Sequence, residues 1–229
     1  MQGVLNSNLQ EVARTFSATD NGQHTTDPLC YIAAMSTKAT IKSTAPTLYS
    51  IGHGSRGSET FLALLNSFEV RHLADVRSYP NSKRNPHFDR ENLELMLNRS
   101  GISYTWFPDL GGFRREGLGN TSPHVALESP GFRNYADYMN TESFQTAAYK
   151  LSQLVTLGSA CFMCAETVPH GCHRSLLADY LLVQGFKVTH ILDRRKTIVH
   201  EISRLASISE GRIIYNRTQS IQMELNEND

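Results

Sequence analysis

The chain is short of the features that mark several common protein classes. It has four cysteines in 229 residues, and three of them, Cys161, Cys164 and Cys172, fall within twelve residues. That clustering in a mid-sized chain is not the spacing of a secreted disulfide framework, so a reducing, intracellular compartment (cytoplasm or nucleus) is predicted. There is no excess of either charge: Lys+Arg and Asp+Glu stand at 22 each. No global field therefore steers the protein to nucleic acid or to an anionic membrane, and any anion site must be local. Long hydrophobic runs are missing too. None approaches the roughly 20 apolar residues of a membrane span. The longest early run, Leu29 to Met35, has no basic region directly before it and is not read as a signal peptide. No membrane partner is expected, and no internal repeat is visible.

What is present divides into three parts. Residues 1–45 are rich in Ser, Thr, Asn and Gln without sustained periodicity, which predicts a disordered extension. Residues 46–195 alternate between short apolar runs and amphipathic stretches. Residues 196–229 begin basic and end acidic, and a partly helical or disordered C-terminal extension is expected there.

Within the middle part, Thr47 to Ile51, His72 to Val76, Ile102 to Phe107, Ser159 to Met163 and Lys187 to Leu192 carry strand patterns. Helices are predicted between them: one capped by Ser58 over Glu59 to Phe68, one capped by Asp89 and stopped near Gly101, one in two pieces over Phe132 to Leu157, and one after Cys172. Strands separated by helices predict a single Rossmann-like α/β domain, an about five-stranded, mostly parallel sheet with helices on both faces. In such sheets the binding crevice lies beyond the carboxyl ends of the strands. His53, Asp75 with Arg77, Asp109 with Gly111 and Gly112, and Cys164 with Glu166 all stand at such ends.

The densest chemistry is in the loop from Cys164 to Ser175, which holds two thiols, a carboxylate, two imidazoles and a guanidinium between a strand and a helix. Cys172, His173 and Arg174 open that helix, where free N–H groups and the positive dipole end favour an anion. Arg174 and Arg77 are expected to grip it as a clamp. Glu166, beside the apolar Met163 and Ala165, is suited to proton transfer or to nucleophilic attack. Cys172 is the alternative nucleophile, since a helix N-terminus lowers a thiol pKa, with His173 or His53 as base. The spacing is not the Cys-x5-Arg of a phosphatase loop, because Arg174 follows Cys172 by two and Cys164 by ten. Cys161, three before Cys164, points to the opposite face of a regular strand and is assigned to the core. Cys164, Cys172, His170 and His173 offer thiolate and imidazole donors suited to zinc, but in no standard spacing, so no cofactor is expected and zinc stays an alternative.

The segment Arg77 to Phe88 adds Tyr79, Lys83, Arg84 and His87, with Arg114 and Arg115 further on. Basic groups interleaved with aromatics fit a nucleotide or single-stranded nucleic acid.

Several of these pieces recur together in a known family. Ser50-Ile51-Gly52-His53-Gly54-Ser55-Arg56, Leu73-Ala74-Asp75-Val76-Arg77-Ser78-Tyr79-Pro80, Arg84-Asn85-Pro86, Leu110-Gly111-Gly112, Tyr135 to Met139, Cys164-Ala165-Glu166 and Cys172-His173-Arg174-Ser175 resemble, in order and spacing, the family filed as domain of unknown function 488. The resemblance runs from about Leu48 to Leu192, with one departure, Gly54, where Ser is expected. It implies a compact α/β domain with these loops as the site, and no particular reaction.

Together these features predict a hydrolase or group transferase acting on a phosphate-bearing nucleotide or nucleic-acid-derived substrate. Glu166 is the base or nucleophile, Arg77 and Arg174 hold the anion, and His53 and His173 carry protons. Cys164 and Cys172 shape the pocket, and Ser175, Asp75, Arg56, Arg84, Gly111 and Gly112 line it. A cysteine-nucleophile enzyme using Cys172 or Cys164 and a non-catalytic nucleic-acid binding domain are the alternatives.

Overall fold

The computed structural model describes residues 45–217, and the extension predicted before them and the end of the tail lie outside. Strands β1 (Thr47–Gly52), β2 (His72–Asp75), β3 (Ser103–Trp106), β4 (Ala160–Cys164) and β5 (Lys187–Asp193) alternate with helices α1 (Ser58–Ser67), α2 (Arg90–Arg99), α3 (Pro130–Tyr138), α4 (Glu142–Leu157) and α5 (Arg174–Val183). The strand order is β3-β2-β4-β1-β5-β6. All the pairings are parallel except the last, where β6 (Lys196–Val199) runs antiparallel to β5. The sheet thus has one strand more than expected, because β6 turns back through Arg194 and Arg195.

The pleat explains which side chains go where. Alternate residues of a strand face opposite sides. On β4, Cys161 and Met163 join the core beneath α1 and α2 with Phe61, Leu65, Leu93 and Leu97. Ala160, Phe162 and Cys164 join the core beneath α3, α4 and α5 with Tyr135, Phe144, Leu151 and Leu177. Cys161 is therefore core on the face away from Cys164, as the spacing predicted. Its burial pushes the thiol pKa far up.

Two local expectations are corrected. Helix α1 begins at Ser58 with Gly57 at the cap position, and no side chain caps it. Asp89 does occupy the cap of α2, but its carboxylate accepts from the Ser82 amide instead. A larger correction concerns the tail. Where a partly helical segment was expected after Arg195, the described residues form β6 and a hairpin of β7 (Ala206–Ser209) and β8 (Arg212–Tyr215). The physical reason is the turn. Glu210 at φ 50° and Gly211 at φ 74° supply the two positive-φ residues of a tight hairpin, and the β-branched Ile213 and Ile214 follow. The hairpin docks because Ala206, Ile213 and Tyr215 bury against the α5 side of the core.

Candidate functional site

The site is built where β1, β2 and β4 end. The β1–β4 ladder continues past the strands: His53 N donates to Cys164 O at 2.9 Å and Gly54 N to Ala165 O at 2.8 Å. The loop after β4 thereby lies directly on the end of β1. Gly52 leaves no room for a side chain beneath the Glu166 carbonyl. Gly54, at φ +56°, abuts Thr167. The glycine that departs from the resembled pattern is thus fixed by conformation and by contact.

Onto this loop α5 delivers its first residues. Cys164 Sγ and Cys172 Sγ lie 2.8 Å apart, and both are buried. The Arg174 amide points at Cys172 Sγ at 3.5 Å, and His173 Nδ1 is 3.5 Å from the same sulfur. His173 Nε2 lies 3.0 Å from Val76 O. A carbonyl only accepts, so Nε2 carries the proton there, and Nδ1 is the nitrogen left to exchange a proton with Cys172. Gly112 packs on this ring, where any side chain would collide, and Gly111 packs on Ser78 in the same way. Cys172 is driven towards the thiolate, first by the hydrogen bond from Cys164 and then by His173 and Arg174, against the cost of burial. Cys164 is driven the other way by burial and by serving as the proton donor of the pair. The two shifts run in opposite directions, so the pair favours keeping the proton on Cys164 and placing charge on Cys172.

The expected role of Arg174 as an anion clamp is corrected by its contacts. It is 1% exposed. Its Nε donates to Cys164 Sγ at 2.8 Å, its Nη1 to Ser50 Oγ at 2.8 Å, and its Nη2 to the Glu166 and Thr167 carbonyls. The fork is occupied by the protein. Beside the thiols, Asp75 and Arg77 form a second unit. Arg77 donates Nε and Nη2 to the Asp75 carboxylate, with Nη2 to Oδ2 at 2.6 Å. The Tyr104 hydroxyl donates to the same oxygen at 2.8 Å, and Trp106 Nε1 donates to Arg77 O at 2.9 Å. The remaining Nη1 of Arg77 faces His53 Nε2 at 3.5 Å. His53 Nδ1 donates to Gly54 O at 2.8 Å, and its ring stacks on Phe88. Burial, together with Arg77, lowers the His53 pKa to about 4, so the ring is neutral near pH 7 and accepts through Nε2.

The other expected residues scatter around these two units. Glu166 is exposed and enters the site through its carbonyl, which also faces Cys164 Sγ at 3.8 Å. Ser175 Oγ donates to Cys172 O at 2.9 Å and so braces the loop. Arg56 ties the ends of β1 and β5 together through the Gly52 and Leu192 carbonyls. Arg84 stands exposed, away from the thiols' contacts. Above Gly112, Tyr79 and Phe113 sit with ring centroids 5.9 Å apart, 68% and 54% exposed, and Arg115 lies over Phe113. Of the four groups considered for zinc, Cys164, Cys172 and His173 meet, whereas His170 is exposed. Among the described residues no group of three or more His, Cys, Asp or Glu is arranged to hold a metal ion. Among the same residues no helix is long and apolar enough to cross a membrane.

Sequence reasoning missed Ser50, Val76, Tyr104 and Trp106. Tyr104 and Trp106 had a signal, being two apart on a strand whose neighbour ends in Asp75. Ser50 and Val76 stood in the resembled motifs, but nothing in the sequence gave them a contact. It also missed a network on α5: Asp179 accepts from His200 Nε2 at 2.9 Å and from Tyr215 Oη at 2.8 Å, and His200 Nδ1 meets His190 Nε2 at 3.0 Å.

The family model described as Domain of unknown function DUF488 matches residues 58–181, more than half of the chain. No curated protein and no solved structure matches.

Proposed function

The chain belongs to the DUF488 family, and on that premise we propose that it is a hydrolase or group transferase whose nucleophile is Cys172. One observation carries the reading: His173, oriented by the Val76 carbonyl, turns Nδ1 to a sulfur that also faces the Cys164 thiol and the Arg174 amide. Nucleophile, base and orienting group stand in sequence, the arrangement that activates a weak nucleophile. Cys172 attacks an electrophilic centre of the substrate as the thiolate. The protonated His173 then gives its proton to the leaving group, and water or a second acceptor releases the product. Glu166 ranks below Cys172 for this role because its side chain is exposed on the loop while its carbonyl is engaged by Arg174.

The substrate class is a phosphate-bearing nucleotide or a nucleic-acid component. The exposed Tyr79–Phe113 pair offers faces for a base. The Nη1 side of Arg77, beside His53, favours the anion.

Iodoacetamide labelling mapped by peptide mass spectrometry tests the reading between about pH 5.5 and about pH 8.5. Cys172 labels at a nearly constant rate, whereas an ordinary thiol gains about tenfold per unit below its pKa. A nucleoside monophosphate slows the labelling. A Cys172 that follows the ordinary profile ends the nucleophile reading. Nucleic-acid binding that survives Cys172→Ser with no loss of biological function favours the binding module instead.

A further inference from the structure

We propose that Cys164 and Cys172 form a reversible internal disulfide when the protein meets a hydroperoxide, with Cys172 taking the oxidant and Cys164 resolving it. The proposal rests on the reading of Cys172 as the nucleophilic thiol.

The two sulfurs are already in contact at 2.8 Å. One sits at the end of a central strand and the other just before a helix, so only a short approach of two sulfurs already in contact separates the dithiol from the bond. Cys161, on the opposite face of β4, cannot compete as a partner. The electrons and atoms balance in two steps. The Cys172 thiolate attacks one peroxide oxygen and the O–O bond breaks. Cys172 becomes a sulfenic acid, and hydroxide or alkoxide leaves and is protonated. Cys164 then attacks the Cys172 sulfur, its proton goes to the departing hydroxide, and water leaves as the S–S bond forms. The dithiol gives up two electrons and the peroxide takes them.

Arg174 explains why such a bond is reversible. Arg174 is 1% exposed; its guanidinium donates to Cys164 Sγ, its backbone amide points at Cys172 Sγ, and charge on that sulfur interacts favourably with the guanidinium. Oxidation removes that anion and leaves a buried cation with only Ser50 and two carbonyls. Burying an unpaired charge is costly, so the oxidised state is penalised and the disulfide is of the easily reduced kind. An external thiol restores the pair through a mixed disulfide.

The test treats the full chain with hydrogen peroxide and maps thiols by differential alkylation. Cys164 and Cys172 should disappear together and return together with dithiothreitol, while Cys161 stays reduced. The linked peptide should be recovered by mass spectrometry. In Cys164→Ser, with its fold checked by circular dichroism, Cys172 should be trapped by dimedone as the sulfenic acid. Dimedone capture of Cys172 in the unaltered chain without a linked peptide overturns the proposal and leaves the nucleophile reading standing. Failure of Cys172 to oxidise at all, together with an ordinary alkylation profile, overturns both.

Discussion

Arg174 Nε faces Cys164 Sγ from 2.8 Å, so the largest fully buried side chain of the domain is turned onto a sulfur. Its other nitrogens reach β1 through Ser50 and the loop after β4 through two carbonyls. A lysine keeps the charge but supplies no fork to span these three directions. Arg174→Lys is therefore expected to cost about 3 kcal/mol in urea unfolding and to slow iodoacetamide labelling of Cys172. A variant as stable as the parent, with unchanged labelling, contradicts the central role given to this guanidinium.

Asp75 is the hub of the neighbouring unit. It is fully buried and accepts from the Arg77 amide, the Arg77 guanidinium and the Tyr104 hydroxyl. Asp75→Ala leaves Arg77 buried without its anion and should cost about 3–5 kcal/mol. Tyr104→Phe removes one hydrogen bond to the same carboxylate and should cost about 1 kcal/mol. The order matters more than the sizes. If denaturation midpoints fall equally for both variants, the pair contributes less than its geometry implies.

Much of this was legible before any coordinates. Short apolar runs with polar tips predicted the parallel sheet, and a three-residue spacing on a strand was enough to send Cys161 and Cys164 to opposite faces. The role of Arg174 was not legible. From the chain alone, an arginine at a helix start signals an anion, whereas the fold brings Ser50 onto it from 124 residues away and the loop carbonyls of Glu166 and Thr167 from 8 and 7. The Asp179–His200–His190 network escaped for the same reason, because its members share no local spacing and meet only when β6 folds back on β5. The strands of the tail are four residues each, as is β2, but β6 and β7 are mostly exposed and so lack the apolar run that marks β2.

Gly54 gives a test of the loop itself. Its φ of +56° is costly for any residue with a Cβ, and Thr167 occupies the space a side chain would need. Gly54→Ser should therefore destabilise the protein by about 1–3 kcal/mol. It should also loosen the loop that holds Cys164, read as faster hydrogen exchange at Ala165 to Thr167. A neutral Gly54→Ser would mean the loop can relax around the added atoms.

Acid should weaken the domain through histidines held neutral. Burial lowers the His53 pKa to about 4 and the His190 pKa to about 3, each from 6.5. For His190 the neighbouring His200, Arg174 and His170 add to the effect. Once unfolded, both rings bind a proton below 6.5, while the folded protein resists until the lowered value is reached. The sign follows from proton uptake: the unfolded state holds more protons in that window, so stability falls as pH falls. It is fully present above 6.5, drains between 6.5 and about 4 for His53 and about 3 for His190, and levels off below. Urea midpoints across this range measure it. His190→Gln removes its own contribution, leaving those of His53 and of His124, whose pKa burial also lowers, and should make the acid side of the curve shallower. A curve of unchanged slope would show that His190 is as easily protonated folded as unfolded, and that its place beside His200 does not hold it neutral.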